Sequence, residues 1–342
     1  MEPRTASRLM VVDRATGDIH HHHFSDLPSF LDPGDLLVHN QTRVIRARLF
    51  ARKPTGGKVE LLLLRQRGRG SAVRARTWEV LVGGKGVRPG LTLTLLDGRD
   101  GSPVGAEAHV IEQGERAVRV LTFDQPVLPL AERIGVTPLP PYIHEELRDD
   151  ARYQTVYAQK PGSAAAPTAG LHFTPELLRD LGAQGVRSEF VTLHVGLDTF
   201  QPVREEEIEE HHMHSEYCLL RPDVAREVNQ ARLRGGRVVA VGTTSVRVLE
   251  TAARQARTDD GPSGKRSGDV IAAFEGETDL FIYPGYNFRA VEALVTNFHL
   301  PRSTLLMLVA AFAGKALIER AYAEAIDRQY RFYSFGDAML IL

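Results

Sequence analysis

The sequence predicts an α/β protein in which a mixed-sheet α/β main domain carries an inserted small β-barrel. Three features of the 342-residue chain predict it. A mid-chain stretch consists of short strand-like runs separated by Gly-rich or Pro-rich turns, with no helical period. After a Pro-rich connector the pattern alternates between helix and strand, as the units of α/β domains do. The length also exceeds what one hydrophobic core usually organises, so two domains are expected.

Taken in order, residues 36–38 and 44–50 have strand character and flank a polar turn, His39-Asn40-Gln41-Thr42-Arg43. From Lys58 to about Phe123 come the runs 59–64, 78–82, 91–96, 107–111 and 117–123, the expected barrel. The passage Thr137-Pro138-Leu139-Pro140-Pro141-Tyr142 fixes backbone angles and forbids helix, so it marks a border. The expected division is therefore a discontinuous main domain of 1–57 and 146–342, with the barrel at 58–145. Thr174-Pro175-Glu176 reads as an N-cap followed by proline at the first helical position, and Gly185 terminates that helix. A strand over 186–195 follows, then a helix over 222–233 ended by Gly235-Gly236. The buried strand 237–241 feeds Gly242-Thr243-Thr244-Ser245 and a helix over 246–257. Residues 259–268 lack apolar anchors and read as a surface loop. Strand candidates at 280–283 and 293–298 precede Pro301-Arg302-Ser303-Thr304, which opens an apolar helix through Ala313, and 317–328 reads as another helix.

Composition narrows the function classes. The longest apolar stretch, 305–313, is far shorter than the about 20 residues a bilayer needs, and the N-terminus lacks a secretory core, so a cytoplasmic protein is expected. The single cysteine, Cys218, excludes an internal disulfide framework and a Cys-based zinc cluster, and reads as a buried small hydrophobe. Net charge is −1 from 42 basic and 43 acidic residues, so the whole molecule is no polycation. Between Arg43 and Arg76, however, eleven basic residues stand against Glu60 alone, a net of +10. Such a field attracts a phosphate backbone, although outward-facing strand residues without a partner account for it equally well.

Several segments carry candidate chemistry. His20 to His23 read as an exposed strand rather than a metal tract. In Glu209-Glu210-His211-His212-Met213-His214-Ser215-Glu216, His211 and His214 could share a helical face, but the metalloprotease pattern spaces its histidines by four, so hydrogen bonding is favoured over metal. In Ala166-Pro167-Thr168-Ala169-Gly170-Leu171-His172-Phe173, small residues beside an imidazole permit close approach of backbone to a ligand; a tight turn explains Gly170 but gives no reason for His172. Leu193-His194-Val195-Gly196 puts a second imidazole at a strand end, where ligands of α/β domains lie, although a satisfied core histidine is the commoner case. Gly242-Thr243-Thr244-Ser245-Val246-Arg247 offers three hydroxyls and free amides at a helix start, which suits a carboxylate or phosphate; it lacks the glycines and lysine of a triphosphate loop. Tyr283-Pro284-Gly285-Tyr286 and Thr296-Asn297-Phe298-His299-Leu300-Pro301 add aromatic faces, an amide and an imidazole, suited to a purine or an unstacked RNA base. These residues together describe an α/β protein with a polar, His-bearing cleft and a basic flank.

Seven segments, in order along almost the whole chain, resemble the S-adenosylmethionine:tRNA ribosyltransferase-isomerase family. They are Asn40-Gln41-Thr42-Arg43-Val44-Ile45, Pro167 to Phe173, Leu193 to Gly196, Met213-His214-Ser215-Glu216-Tyr217, Gly242 to Arg247, Thr296 to Pro301 and Phe335-Gly336-Asp337-Ala338-Met339. The resemblance implies an α/β domain with an inserted β-barrel. It implies as substrates S-adenosylmethionine and a tRNA carrying 7-aminomethyl-7-deazaguanine at the wobble position, and as products epoxyqueuosine-tRNA, adenine and methionine. Neither metal nor redox cofactor is implied; S-adenosylmethionine is consumed, and a monomer with no membrane or obligate protein partner is expected. For that reaction His172, His194, His214 and His299 are the candidate acids and bases, with no assignment among them. Thr168, Glu216, Thr243, Thr244, Ser245, Arg247, Tyr283 and Asn297 are candidate substrate ligands, the helix-start hydroxyls and Arg247 for the methionine carboxylate or a tRNA phosphate. Arg43, Arg46, Arg48, Arg52 and Lys53 are candidate tRNA backbone contacts. Two departures stand out: the chain opens at Pro3 to Leu9 without the family's leading segment, and Asp198 stands where the family has glycine. A non-catalytic tRNA-binding relative and a metal-dependent hydrolase using His211 and His214 are the alternative readings.

Overall fold

The computed structural model describes residues 3–67, 74–140, 142–143, 147, 149–196, 213, 215–258 and 269–342. The chain divides into two compact units, one of Met1–Thr42, Ala151–Lys160 and Pro167–Leu342, the other of Arg43–Asp150 and Pro161–Ala166.

The first unit is built on a nine-stranded mixed sheet. Its strands lie in the order Phe274–Thr278, Glu216–Leu220, Arg187–Leu193, Leu36–Asn40, Val238–Val241, Ala293–Asn297, Ala338–Ile341, Arg8–Val12 and Ile19–His23. The four central strands, Arg187–Leu193 to Ala293–Asn297, are mutually parallel. Val238–Val241 and Ala293–Asn297 are buried throughout, as strands covered on both faces must be. On one face Leu9, Val11, Leu37, Val239, Val295 and Leu340 pack with Phe173, Leu177 and Leu181. The helix Pro175–Ala183 that supplies Leu177 and Leu181 starts as its sequence predicts, with Pro175 in the first turn and the Thr174 side chain accepting from the Leu177 amide at 3.2 Å. Ser303 caps Thr304–Ala313 in the same way, through the Leu306 amide at 3.1 Å.

This topology brings many chain segments to one sheet edge. The parallel strands end there at Asn40, Leu193, Val241 and Asn297. Ala338–Ile341 runs antiparallel with Ala338 opposite Asn297, and Arg8–Val12 pairs parallel with it, Leu9 opposite Ala338. Both of these strands therefore begin at the edge where the others end.

The second unit holds a closed antiparallel barrel in the order Val118–Phe123, Thr77–Gly83, Lys58–Gln66, Arg48–Arg52, Thr92–Leu96, Pro103–Gln113. Alternation along Pro103–Gln113 buries Ala106, Ala108 and Val110, the period-two signature of a strand with one face inward.

Some elements differ from the sequence expectation. The stretch 44–50 is not one strand: Thr42–Val44 and Arg48–Arg52 are separate, and Arg48–Arg52 pairs with Lys58–Gln66 and Thr92–Leu96 to close the barrel. Closure needs that strand, so the barrel unit starts at Arg43, earlier than Lys58, and runs on to Asp150. Residues 280–283 form no strand; Leu280 and Ile282 are buried, but the chain turns at Pro284-Gly285, with Gly285 at φ +104, and the strand lies instead at Phe274–Thr278. The helix after Val238–Val241 begins at Thr243, so the three hydroxyl residues form its first turn. Arg8–Val12, Glu216–Leu220, Ala338–Ile341 and the helix Val127–Ile134 were not anticipated. His20 to His23 do lie on an edge strand, Ile19–His23. Among the described residues no helix is long and apolar enough to cross a membrane, and no group of three or more His, Cys, Asp or Glu side chains could hold a metal ion.

Candidate active site

The edge where the parallel strands end is where α/β sheets bind ligands, and His172 lies buried there in a one-directional hydrogen-bond chain. Thr168 donates its hydroxyl to the Asn297 carboxamide oxygen at 2.9 Å, which turns the Asn297 amide toward His172 Nε2 at 3.1 Å. With Nε2 accepting, the imidazole proton sits on Nδ1, which meets Ser7 Oγ at 2.7 Å; Ser7 in turn donates to the Arg4 carbonyl at 3.2 Å. Burial lowers the His172 pKa to about 4, the Asp337 carboxylate opposing that shift and Arg331 and Arg4 adding to it. The ring also stacks on Phe24, with centroids 5.0 Å apart. Gly170 precedes it in the 3₁₀ turn Thr168–His172 because a Cβ there would stand 2.1 Å from the Tyr157 hydroxyl.

His194 follows the strand Arg187–Leu193, at the same edge. Asn40 fixes it indirectly: its side chain donates to the Leu193 carbonyl at 2.9 Å and accepts from the Leu193 and Thr42 amides, each at 3.1 Å. Thr42 Oγ1 then meets His194 Nδ1 at 2.8 Å, and the Tyr217 ring stacks on the imidazole at 5.5 Å and 24°. Desolvation lowers this pKa too, to about 4. Nε2 has no hydrogen-bond partner among the described residues.

His299 belongs elsewhere. Its Nε2 bonds Thr296 Oγ1 at 2.8 Å, and its amide donates to the Tyr322 hydroxyl at 2.8 Å. Thr296 and Asn297 are consecutive strand residues and point to opposite sheet faces, so His299 and His172 are held on opposite faces. Burial lowers its pKa to about 4 as well.

At the helix start, Gly242 takes φ +87 and donates its amide to the Val295 carbonyl at 2.8 Å. Thr243 and Thr244 are buried, and Thr244 Oγ1 has no hydrogen-bond partner among the described residues. Ser245 instead turns its hydroxyl back to the Val241 carbonyl at 2.9 Å.

This arrangement of motifs matches known proteins over its whole length. The queuosine biosynthesis protein family profile matches residues 1–341. The chain belongs to that family. A relative from Symbiobacterium thermophilum named S-adenosylmethionine:tRNA ribosyltransferase-isomerase is 54% identical, over 100% of this chain and 94% of its own. One of the same name from Thermus thermophilus is 52% identical with the same coverage. The crystal structure of S-adenosylmethionine tRNA ribosyltransferase from Thermotoga maritima is 40% identical, covers 100% of this chain and 94% of that one, and superposes with a TM-score of 0.53.

In this member of the queuosine biosynthesis family, other expected site residues are engaged with the protein itself. Arg247 and Glu216 form a buried ion pair, 4% and 6% exposed. Arg247 also donates to the Leu280 and Thr278 carbonyls, each at 3.2 Å, while Glu216 accepts the Gly196 amide at 2.8 Å. A guanidinium so occupied joins three segments. Tyr283 contacts the Phe281 ring at 5.2 Å. His211, His212, His214 and Asp198 lie outside the described residues.

The basic stretch is also less bare than its sequence. Arg43 faces Glu132 at 3.9 Å, Arg46 pairs with Asp150 at 2.8 Å and Arg48 with Glu60 at 3.0 Å. Lys53 donates to the Lys85 carbonyl at 3.0 Å, whereas Arg52 has no carboxylate partner among the described residues. Ser7, Thr42, Asn40 and Asp337 were missed as site residues; for Asn40, Thr42 and Asp337 a signal existed in the segments that carry the family resemblance.

Proposed function

We propose that this protein transfers and isomerises the ribosyl group of S-adenosylmethionine onto 7-aminomethyl-7-deazaguanine in a tRNA anticodon, in the cytoplasm. Epoxyqueuosine-tRNA, adenine and methionine are the products. Membership of the family over the full chain supports the reaction. The observation that carries the chemical reading is the pair of neutral imidazoles, His172 and His194, at the edge where the parallel strands end.

The sulfonium acidifies the adjacent ribose carbon, and a neutral imidazole can take that proton. His194 suits this step in the tautomer whose Nδ1–H donates to Thr42 Oγ1, itself a donor to the Lys160 carbonyl at 3.5 Å, because that leaves the Nε2 lone pair open. His172 has both nitrogens engaged and suits a donor and orienting role in the chain with Ser7 and Asn297. Adenine then leaves, the amine of the modified base attacks the opened sugar, and a ribose oxygen closes the epoxide as the carbon–sulfur bond breaks and methionine departs. The amides of the first helical turn at Thr243 and Thr244 suit the methionine carboxylate. S-adenosylmethionine is the only small molecule the reaction consumes, and no metal enters it.

Adenine release from S-adenosylmethionine, followed with and without the aminomethylated tRNA, tests the proposal. Release is expected only when both are present; none with both would end it. His194→Ala is expected to lower the rate by about 10²–10⁴-fold.

A further inference from the structure

The strand edge carries a recess that His172 and Ser7 line from one side. Beside His172 the surface opens into a pocket whose rim includes Arg4, Arg152, Arg331, Ser334 and Phe335. Three guanidinium groups line it, and no carboxylate does among the described residues. Arg4 is fixed by carbonyls alone, of Gln154 at 2.8 Å and Ala151 at 2.9 Å, which orient it without cancelling its charge. Arg152 is exposed. Phe335 is 39% exposed, a large apolar ring at the mouth of a cationic pocket, with the Tyr153 ring 5.8 Å behind it.

The loop presenting Phe335 is tightly built. Asp337 accepts from the Arg331 amide at 2.8 Å and guanidinium at 2.6 Å, and from the Arg8 amide at 3.0 Å. Tyr333 is held at φ +72, and a Cβ at Gly336 would stand 2.3 Å from the Arg331 carbonyl. A backbone so constrained fixes an aromatic ring outward, against the usual tendency to bury it.

We propose that this pocket binds one nucleotide of the tRNA substrate, its phosphate on Arg4 and Arg152 and its unstacked base on the Phe335 face. Aromatic faces and guanidinium groups together are how proteins hold single-stranded RNA. A sulfonium ligand is a poor occupant, because three guanidinium groups line the recess and only Arg331 is paired with a carboxylate among the described residues. The proposal rests on the tRNA-modifying reading above, and it fixes the nucleotide beside His172.

The test uses the full chain with Phe335→Ala, Phe335→Tyr and Arg152→Glu. Binding of an anticodon stem-loop RNA bearing the aminomethylated base is measured by fluorescence anisotropy at several salt concentrations, and binding of S-adenosylmethionine by calorimetry. Phe335→Ala and Arg152→Glu are expected to weaken RNA binding about tenfold, with Phe335→Tyr restoring it. Arg152→Glu should also flatten the salt dependence by about one phosphate contact. S-adenosylmethionine binding should stay within about twofold, less than the about 1.4 kcal/mol that a tenfold change represents. Loss of S-adenosylmethionine affinity instead, which assigns the pocket to the methionine carboxylate, overturns the proposal; so does unchanged binding of both. Absence of adenine release in the unaltered enzyme would defeat the reaction reading, while the RNA arms still report on the pocket. Both substituted side chains are exposed, and melting curves verify that each variant folds.

Discussion

Above all it is the loss of water around them that keeps the histidines at the sheet edge neutral, and single side chains decide how far. Asn297 holds His172 Nε2 with an uncharged amide. Replacing it by Asp puts a carboxylate on that nitrogen and favours the imidazolium. Asn297→Asp is expected to raise the His172 pKa from about 4 to above the ordinary value, read from the imidazole proton shifts in an NMR titration. An unmoved titration would mean that the Thr168–Asn297–His172 chain is not formed. Gly170→Ala tests the turn that carries His172. Its new methyl meets the Tyr157 hydroxyl at 2.1 Å and Thr155 Cγ2 at 2.8 Å, both in packed surroundings. The expected cost is about 1–3 kcal/mol of stability by chemical denaturation.

At the scale of elements, the helix Thr243–Thr258 is locked to its neighbours by Arg247. Its guanidinium reaches Glu216 on the strand Glu216–Leu220 and the Thr278 carbonyl at the end of Phe274–Thr278. Removing one partner of such a pair leaves the other charged and buried. Arg247→Met is expected to cost about 3–5 kcal/mol, and the double variant with Glu216→Gln to recover part of it. Denaturant midpoints of the three variants decide the matter; a harmless Arg247→Met would show that water reaches Glu216. An activity loss in Arg247→Met follows from the displaced helix start, so stability has to be read first.

For the whole molecule, the buried histidines tie stability to pH. His39, fully buried on the strand Leu36–Asn40, has its pKa lowered to about 3 by desolvation, and His172 to about 4. In the unfolded chain both return to about 6.5. As pH falls through that value the unfolded chain takes up protons that the native chain refuses, so stability held above it is lost on acidification. The slope approaches about 1.4 kcal/mol per pH unit for each histidine between about 6 and about 4. Thermal midpoints measured across that window should fall steeply; a flat profile would contradict the burial of both rings. The basic stretch gives a second whole-molecule expectation. Partly exposed ion pairs such as Arg43–Glu132 are weak and yield to phosphate, so RNA affinity should still drop as salt rises.

Local rules made much of the fold legible. Thr174-Pro175 and Ser303 announce their helices because a cap is settled within a few residues, and the short alternating runs after Lys58 announce the barrel. The motif segments likewise pointed to His172, His194, Thr168 and Asn297, which the structure brings to one edge. The sequence by itself thus determined the fold class, the family and those elements whose caps or alternation are settled locally. Only the tertiary structure decided what those residues meet. Ser7 and Asp337 reach His172 and Arg331 because strands from opposite ends of the chain pair side by side, and His299 departs to the other face by the alternation of one strand. Arg247 turns to Glu216, and Arg46 to Asp150, across separations no local pattern spans. Charge and hydrogen-bond capacity are properties of a residue, but their neutralisation depends on neighbours that only the folded chain supplies.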